Sequence, residues 1–241
     1  MNYMASVKPQ ILLIFDVDGT LTYSNGATGR AFEAAFTQLT GIDHGWGAIR
    51  PYGMTDPQIL KDMLNSENLP VDDFPIIFRR FQEIFLPLMH HELEITTKAR
   101  LLPGVRELLE LLSNDQRFAL ALGTGNVEAS ARAKLNKHNI DHYFPVGGYS
   151  TDAEERSDII RMAWERSRNH WGIPFQLSNT WVIGDTPKDV AAGKTIGANT
   201  LAVATGFISM QELLDAAPTA FLNTLENQEL FLDIVLNREG K

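Results

Sequence analysis

The sequence predicts an α/β fold in which a parallel sheet is interrupted by an inserted helical domain. Short apolar runs that are typical of buried strands alternate with segments of helical periodicity in the second half of the chain. Such alternation predicts parallel strands joined by right-handed crossovers. Between the first two strands, residues 23–98 show helical patterns and no convincing alternating strand. We interpret that stretch as the insertion.

Four apolar runs predict strands, and each leads directly into a loop of glycine, hydroxyl or acidic residues. Ligands of open α/β sheets bind in the crevice beyond the carboxyl ends of the strands, so these loops are candidate site segments. The predicted strands are Ile11–Phe15, Phe118–Leu122, Thr180–Ile183 and Asn199–Gly206.

Apolar spacing predicts three helices in the insertion. The first follows Gly29 and ends near Gly41, and the third follows Asp72 and Asp73. The second begins at Asp56, which we expect to be its N-cap because Pro57 follows it. The remaining helices are expected to start at Pro103 and to cover Val127–Lys137, Arg156–Asn169, Lys188–Ile196 and Met210–Ala216.

Composition limits the partners and the chemistry. A net charge of -9 and a pI near 5.1 argue against nucleic acid or an anionic membrane surface as a partner. The absence of cysteine excludes disulfides, thiolate metal sites and cysteine nucleophiles. The polar N-terminal segment and the short apolar run after it predict neither a signal peptide nor a membrane span, so we expect a soluble, cytoplasmic protein.

Two carboxylates, Asp16 and Asp18, follow the first strand without a break. Residues two apart in extended backbone point the same way, so both can face one substrate if that geometry persists. Gly19 then allows a sharp turn. A hydroxyl-bearing loop, Thr124-Gly125-Asn126, follows the second strand, and Gly184–Asp189 follows the third.

These motifs resemble the haloacid dehalogenase-like hydrolase superfamily, whose members carry a DxDGT loop, a hydroxyl after a second strand, a basic residue and a GDxxxD loop. The resemblance spans Ile11 to about Leu222 and is greatest to the phosphoglycolate phosphatase and β-phosphoglucomutase branch. It implies a Rossmann-like core with the first strand central, formed by residues 1–22 and 99–241. It also implies that residues 23–98 are a mobile helical cap, hinged near Tyr23–Gly26 and Ile95–Leu102.

The resemblance implies a phosphatase in which Asp16 is the nucleophile and Asp18 the general acid and base. A carboxylate approaching a phosphate dianion needs a hard cation between them, so we expect Mg²⁺. The expected metal ligands are Asp16, Asp18 through its backbone carbonyl, Asp185 and Asp189, although both of the latter could instead cap a helix. Thr124, Gly125 and Asn126 are expected to bind phosphate, and a simple hydroxyl turn is the alternative.

The chain departs from the resembled pattern at the basic residue, because no lysine stands in the expected place. Arg156, at the start of a predicted helix, is our first candidate for neutralising phosphate and Asp16. Lys134, Lys137 and Lys188 are the alternatives.

The expected substrate is a small phosphorylated metabolite, with Tyr23, Arg50 and Thr55 as candidate binding residues beside Ser24, Asn25 and Tyr52. The sequence leaves the oligomeric state open. Four other functions are weighed: a sugar-phosphate mutase, a haloacid dehalogenase, a phosphonatase and a non-catalytic binding module. Asp18 argues against the dehalogenase, and the phosphonatase would need a cap lysine, for which only Lys61 and Lys98 are available. The intact set of Asp16, Asp18 and Asp185 argues against a binding module.

Overall fold

A computed structural model describes residues 9–43, 45–47 and 49–236. The N-terminal residues 1–8, where the sequence predicts no signal peptide or span, lie outside the described residues. The described strands are β1 Ile11–Phe15, β2 Thr22–Tyr23, β3 Arg100–Leu101, β4 Phe118–Gly123, β5 Val146–Gly148, β6 Thr180–Gly184, β7 Asn199–Val203 and β8 Ala220–Leu222.

The described residues form nine helices; the first eight match predicted segments, and the last was not predicted from the sequence. They are α1 Ala27–Thr40, α2 Asp56–Ser66, α3 Phe74–Ile95, α4 Val105–Ser113, α5 Glu128–Asn136, α6 Arg156–Trp171, α7 Pro187–Ile196, α8 Met210–Asp215 and α9 Gln228–Val235. We call α1, α2 and α3 the cap helices. None of the helices in the described residues is both long enough and apolar enough to cross a membrane.

The main sheet has six parallel strands in the order β5-β4-β1-β6-β7-β8, so the α/β prediction and the interior position of the first strand are confirmed. Phe15 at the end of β1 pairs with Leu122 of β4 and with Ile183 of β6. This register brings the carboxyl ends of three strands to one edge. The loops that follow them therefore meet.

Alternate residues of β1 fill opposite sides of the sheet. Leu13 and Phe15 belong to the apolar cluster that includes α4, α5 and α9. Leu12 and Ile14 belong to the cluster beneath α6. Burial on both faces is what a parallel sheet requires, and it explains the continuous apolar run of β1.

The cap helices have an apolar cluster of their own. Phe32 lies 4.5 Å from Phe81 and 5.2 Å from Phe85, measured between ring centroids. The two connections to the main sheet pair with each other as β2 and β3, with Tyr23 opposite Arg100. The exact domain boundaries at residues 22/23 and 98/99 stay a prediction.

The expectation that Asp56 caps α2 is wrong. Thr55 is the N-cap, because its hydroxyl accepts the Gln58 N–H at 3.4 Å while its own N–H donates to the Gln58 side chain at 3.3 Å. Asp56 is the first helical residue, so its carboxylate is available for another contact. The sequence also missed β5 and β8, which are only three residues long.

Candidate active site

Three buried carboxylates meet at the edge of the sheet. Asp16 follows β1 directly, Asp185 follows β6, and Asp189 lies in the first turn of α7. One oxygen from each lies within 4.8 Å of the other two, and none of the three residues is more than 6% exposed. The loops after separate strands thus concentrate negative charge at one point.

Two neighbours hold Asp185 in place. The Thr20 hydroxyl donates to Asp185 Oδ1 at 3.2 Å, which gives the threonine of the first acidic loop a structural role. Gly206, in the loop after β7, packs so closely that a Cβ atom there would lie 1.7 Å from Asp185 Oδ2. Only glycine leaves room for this carboxylate, and no local sequence motif marks Gly206.

Asp189 is held from two sides. Its Oδ2 accepts hydrogen bonds from the Thr186 hydroxyl at 2.7 Å and the Thr186 N–H at 3.1 Å. Its Oδ1 accepts from Arg156 at 2.6 Å. The helix-capping alternative for Asp189 is therefore realised in part, since Thr186 is the N-cap and Asp189 completes the capping box.

Arg156 joins two of these carboxylates through a single nitrogen. Nη2 donates to Asp16 Oδ1 at 2.7 Å and to Asp189 Oδ1 at 2.6 Å, and the side chain is 8% exposed. Its Nε is buried and has no hydrogen-bond partner in the described part of the chain. A buried donor without a partner is costly, so a ligand oxygen at this point would be favourable.

Burial and neighbouring charges together shift the pKa values of the site residues. Burial raises the pKa of Asp16 to about 6; Asp189 and Asp18 add to the effect, and Arg156 only partly opposes it. Burial and the neighbouring Asp16 and Asp189 also raise the pKa of Asp185 well above its usual value. Burial alone would lower the pKa of Arg156, but Asp189 and Asp16 outweigh it and raise that pKa. Arg156 therefore stays a cation.

The donor set fits a hard divalent cation. Oxygen ligands from carboxylates are those that Mg²⁺ prefers. Three carboxylates face one guanidinium here, so two negative charges are uncompensated when all are ionised. A bound divalent cation would balance them.

Asp18 lies beside this cluster and has a different cation. Lys134 of α5 donates from Nζ to Asp18 Oδ2 at 2.5 Å and to Asn126 Oδ1 at 2.6 Å. Lys134 was an alternative to Arg156 in the sequence analysis, and the structure places both at the site. Lys137 instead binds the Leu93 carbonyl at 2.6 Å, and Lys188 lines a cleft beside Arg156.

The loop Thr124-Gly125-Asn126 closes the site after β4. The Thr124 hydroxyl accepts the Asn126 N–H at 3.3 Å, so the expected hydroxyl turn is present. A Cβ atom on Gly125 would lie 2.4 Å from the Met54 carbonyl oxygen and 2.9 Å from Arg156 Nη1. Because Gly125 has no side chain, the Met54 carbonyl and the Arg156 guanidinium can both lie against the loop.

Asp56 connects the cap helices to this loop, a role that its sequence pattern does not predict. Its N–H donates to the Gly125 carbonyl at 2.8 Å, and its Oδ2 accepts the Val127 N–H at 2.8 Å. Burial raises the pKa of Asp56 to about 6, and nearby Lys134 lowers it in part. Farther out, Lys61 pairs with Glu154 at 2.7 Å.

The three candidate substrate residues occupy different surroundings. Thr55 is buried and its hydroxyl caps α2. Tyr23 packs under Arg100, whose guanidinium carbon lies 4.4 Å from the ring centroid. Arg50 is exposed, within electrostatic reach of Glu212. In the described part of the chain, none of the three makes a direct contact with the carboxylates of the site.

A family model and related curated proteins both indicate similarity to hydrolases. The sequence profile described as "Haloacid dehalogenase-like hydrolase" matches residues 13–203. A "Probable phosphatase IndB" from Dickeya dadantii (strain 3937) is 29% identical over 226 residues, which cover 90% of each chain. A "Phosphoglycolate phosphatase" from Pseudomonas fluorescens (strain Pf0-1) is 26% identical over 219 residues, covering 89% of this chain and 76% of the relative.

The fold is shared with solved structures. A crystal structure described as a "predicted phosphatase" from Clostridium acetobutylicum superposes with a TM-score of 0.72 at 19% identity. The match covers 94% of this chain and 100% of that one. At this identity the likeness concerns the fold alone.

Proposed function

This chain belongs to the haloacid dehalogenase-like hydrolase family, and on that basis we propose that it is a Mg²⁺-dependent phosphatase of small phosphorylated metabolites. Two relatives carry phosphatase names, which supports phosphate monoester hydrolysis. The observation that carries the proposal is the meeting of Asp16, Asp185 and Asp189 within 4.8 Å, with Arg156 bridging Asp16 and Asp189.

In the first half of the proposed reaction, a carboxylate oxygen of Asp16 attacks phosphorus. A new bond forms between Asp16 and phosphorus, the ester P–O bond breaks, and Asp18 gives a proton to the departing oxygen. Asp18 lies two residues beyond Asp16 and is 41% exposed at its side chain, so it can reach a leaving group. The product of this half is an aspartyl-phosphate on Asp16.

In the second half, water attacks the aspartyl-phosphate while Asp18 accepts its proton. The acyl–phosphate bond breaks, inorganic phosphate leaves, and Asp16 regains its carboxylate. Arg156 donates to Asp16 throughout and has a free buried Nε for a phosphate oxygen. The Thr124 hydroxyl, the Gly125 N–H and the Asn126 side-chain amide are proposed to contact the remaining phosphate oxygens, because the Thr124 N–H donates to the Gly148 carbonyl and the Asn126 N–H donates to the Thr124 hydroxyl.

Asp16 and Asp185 are the proposed side-chain ligands of the cation, with the Asp18 carbonyl beside them. Bound Mg²⁺ would supply charge stabilisation of the phosphoryl oxygens. Asp189 has both oxygens engaged by Thr186 and Arg156, so we propose that it orients Arg156 and borders the cation.

The cap contacts support a small substrate. Met54 and Asp56 lie directly against the loop that carries Thr124, so the cap helices cover the site. An enclosed site excludes water and macromolecular phosphates. A cytoplasmic location, expected from the sequence, stays a prediction.

The test is phosphate release from a panel of short-chain phosphates, sugar phosphates, nucleotides and a phosphopeptide, with Mg²⁺ and after complete chelation. We expect turnover of small phosphates that disappears on chelation and returns with Mg²⁺. Robust turnover without metal would contradict the cation assignment. A clear preference for the phosphopeptide would contradict the covering role of the cap helices.

A further inference from the structure

Lys134 is a buried lysine on the inner side of α5. Its side chain is 1% exposed, and its helical neighbours Ala131 and Leu135 are fully buried. Burying a lysine costs both desolvation of its charge and the freedom of a long side chain. An apolar residue at this position would cover the same helix face at a lower free-energy cost. Packing alone therefore does not explain why a lysine is buried here.

The ammonium group makes its two hydrogen bonds to residues of separate loops. One bond reaches Asp18 Oδ2 at 2.5 Å and the other reaches Asn126 Oδ1 at 2.6 Å. Asn126 in turn donates its backbone N–H to the Thr124 hydroxyl. A continuous series of hydrogen bonds therefore links Asp18 to the loop proposed to hold phosphate.

Lys134 is also the only side chain in the described part of the chain that hydrogen-bonds the Asp18 carboxylate. Asp18 is 41% exposed at its side chain and would otherwise be free to change rotamer. Arg156 serves Asp16 and Asp189 instead and makes no bond to Asp18. The two carboxylates of the first acidic loop thus have separate cations from separate helices.

We propose that Lys134 is a positioning residue that fixes the Asp18 carboxylate relative to the bound phosphate, so that Asp18 meets the leaving oxygen. This inference rests on the proposed phosphatase function. It assigns Lys134 a task distinct from the neutralising role expected of the basic residue, which Arg156 fulfils by contacting Asp16.

The test compares esters that differ in their need for an acid. The leaving group of an alkyl phosphate is a strongly basic alkoxide, which needs the proton from Asp18, whereas the weakly basic dinitrophenolate of 2,4-dinitrophenyl phosphate does not. kcat/KM reports only the steps up to leaving-group departure, so it is the quantity to compare. Lys134→Met should lower kcat/KM for the alkyl ester by about 10²-fold, which is the scale of general acid catalysis. The kcat/KM for 2,4-dinitrophenyl phosphate, the activated ester, should change much less.

A double-mutant comparison distinguishes positioning from a general structural effect. If Lys134 acts through Asp18, adding Lys134→Met to Asp18→Asn should cause no further loss with the alkyl ester. Lys194→Met is the matched control, because the Lys194 ammonium binds the Ala216 carbonyl at 2.7 Å. It should leave the ratio of the two kcat/KM values unchanged.

Each result of these measurements either supports or overturns the role proposed for Lys134. Selective loss on the alkyl ester, without additivity, supports the inference. Equal loss on both esters, or full additivity with Asp18→Asn, overturns it while phosphatase activity stands. A wild-type protein inactive toward both esters and toward every small phosphate of the panel overturns the proposed function itself. Should Lys134→Met fail to fold, Lys134→Gln carries the same comparison, and failure of both to fold would show a structural role and overturn the inference.

Discussion

The carboxylate of Asp56, at the start of cap helix α2, accepts a hydrogen bond from the backbone N–H of Val127 at 2.8 Å. Val127 is the N-cap residue of α5 and directly follows the loop that carries Thr124 and Asn126. The position of the cap helices is thereby tied to the loop proposed to bind phosphate.

The burial of Asp56 predicts a pH dependence of stability, which the hydrogen bond from Val127 opposes only in part. Because burial raises the pKa of Asp56 from 3.8 to about 6, the folded protein binds a proton between these pH values that the unfolded chain does not. Asp56 therefore contributes stability that grows as pH falls below 6 and is lost as pH rises through 6. Asp56→Asn keeps an acceptor for Val127 but cannot ionise. On going from pH 7 to pH 5, the free energy of unfolding of the wild type should rise by about 1 kcal/mol relative to that of this variant.

Urea unfolding of both proteins at the two pH values measures that difference. Asp62→Asn, at an exposed site on the same helix, is the control for a general charge effect. A wild-type-minus-variant difference that is the same at pH 5 and pH 7 would show that burial does not raise the pKa of Asp56 as described.

Gly206→Ala should weaken cation binding. The added methyl group would lie 1.7 Å from Asp185 Oδ2, so the carboxylate must move. Displacing a ligand's support typically costs about 10- to 100-fold in metal affinity, and we expect a corresponding rise in the Mg²⁺ concentration for half-maximal activity. Gly45→Ala is the control, since the nearest atom to a Cβ there is 4.0 Å away. An unchanged Mg²⁺ requirement in Gly206→Ala would argue against Asp185 as a ligand.

Arg156→Ala should lower kcat by about 10²- to 10³-fold, the cost of removing one preorganised donor to developing charge. Arg156→Lys should recover part of the activity, because an ammonium group keeps the charge but lacks the planar fork. Steady-state kinetics measure both effects. Arg161→Ala, on the same helix and 49% exposed at its side chain, should behave as wild type. Near-wild-type kinetics for Arg156→Ala would shift the role to Lys188, which lines the adjacent cleft.

The strands that carry the site could be predicted because they are long apolar runs that end abruptly. Ile11–Phe15 was predicted with both ends correct, and the register of β1 with its neighbours then brings Asp16 and Asp185 together. The strands β5 and β8 could not be predicted, since three residues give no measurable periodicity and Val146–Gly148 contains two glycines.

The contacts between loops could not be predicted from the sequence. Lys134 has an ordinary place in a helical pattern, and only the packing of α5 against the first acidic loop brings its ammonium group to Asp18. Asp56 resembled an N-cap because it precedes Pro57, but Thr55 fills that position in a capping box. Gly206 had no local signal, because its requirement comes from Asp185 in a different loop.

The most direct test of the account is to locate the phosphorylated residue. The wild-type protein would be mixed with a turned-over phosphate ester, reduced with borohydride during turnover, digested and examined by mass spectrometry. We expect modification at Asp16 alone in the wild type and none in Asp16→Asn. Asp18→Asn should still be modified at Asp16, because only the nucleophile carries the phosphoryl group. Modification at any other residue would contradict the assignment of Asp16 as the nucleophile.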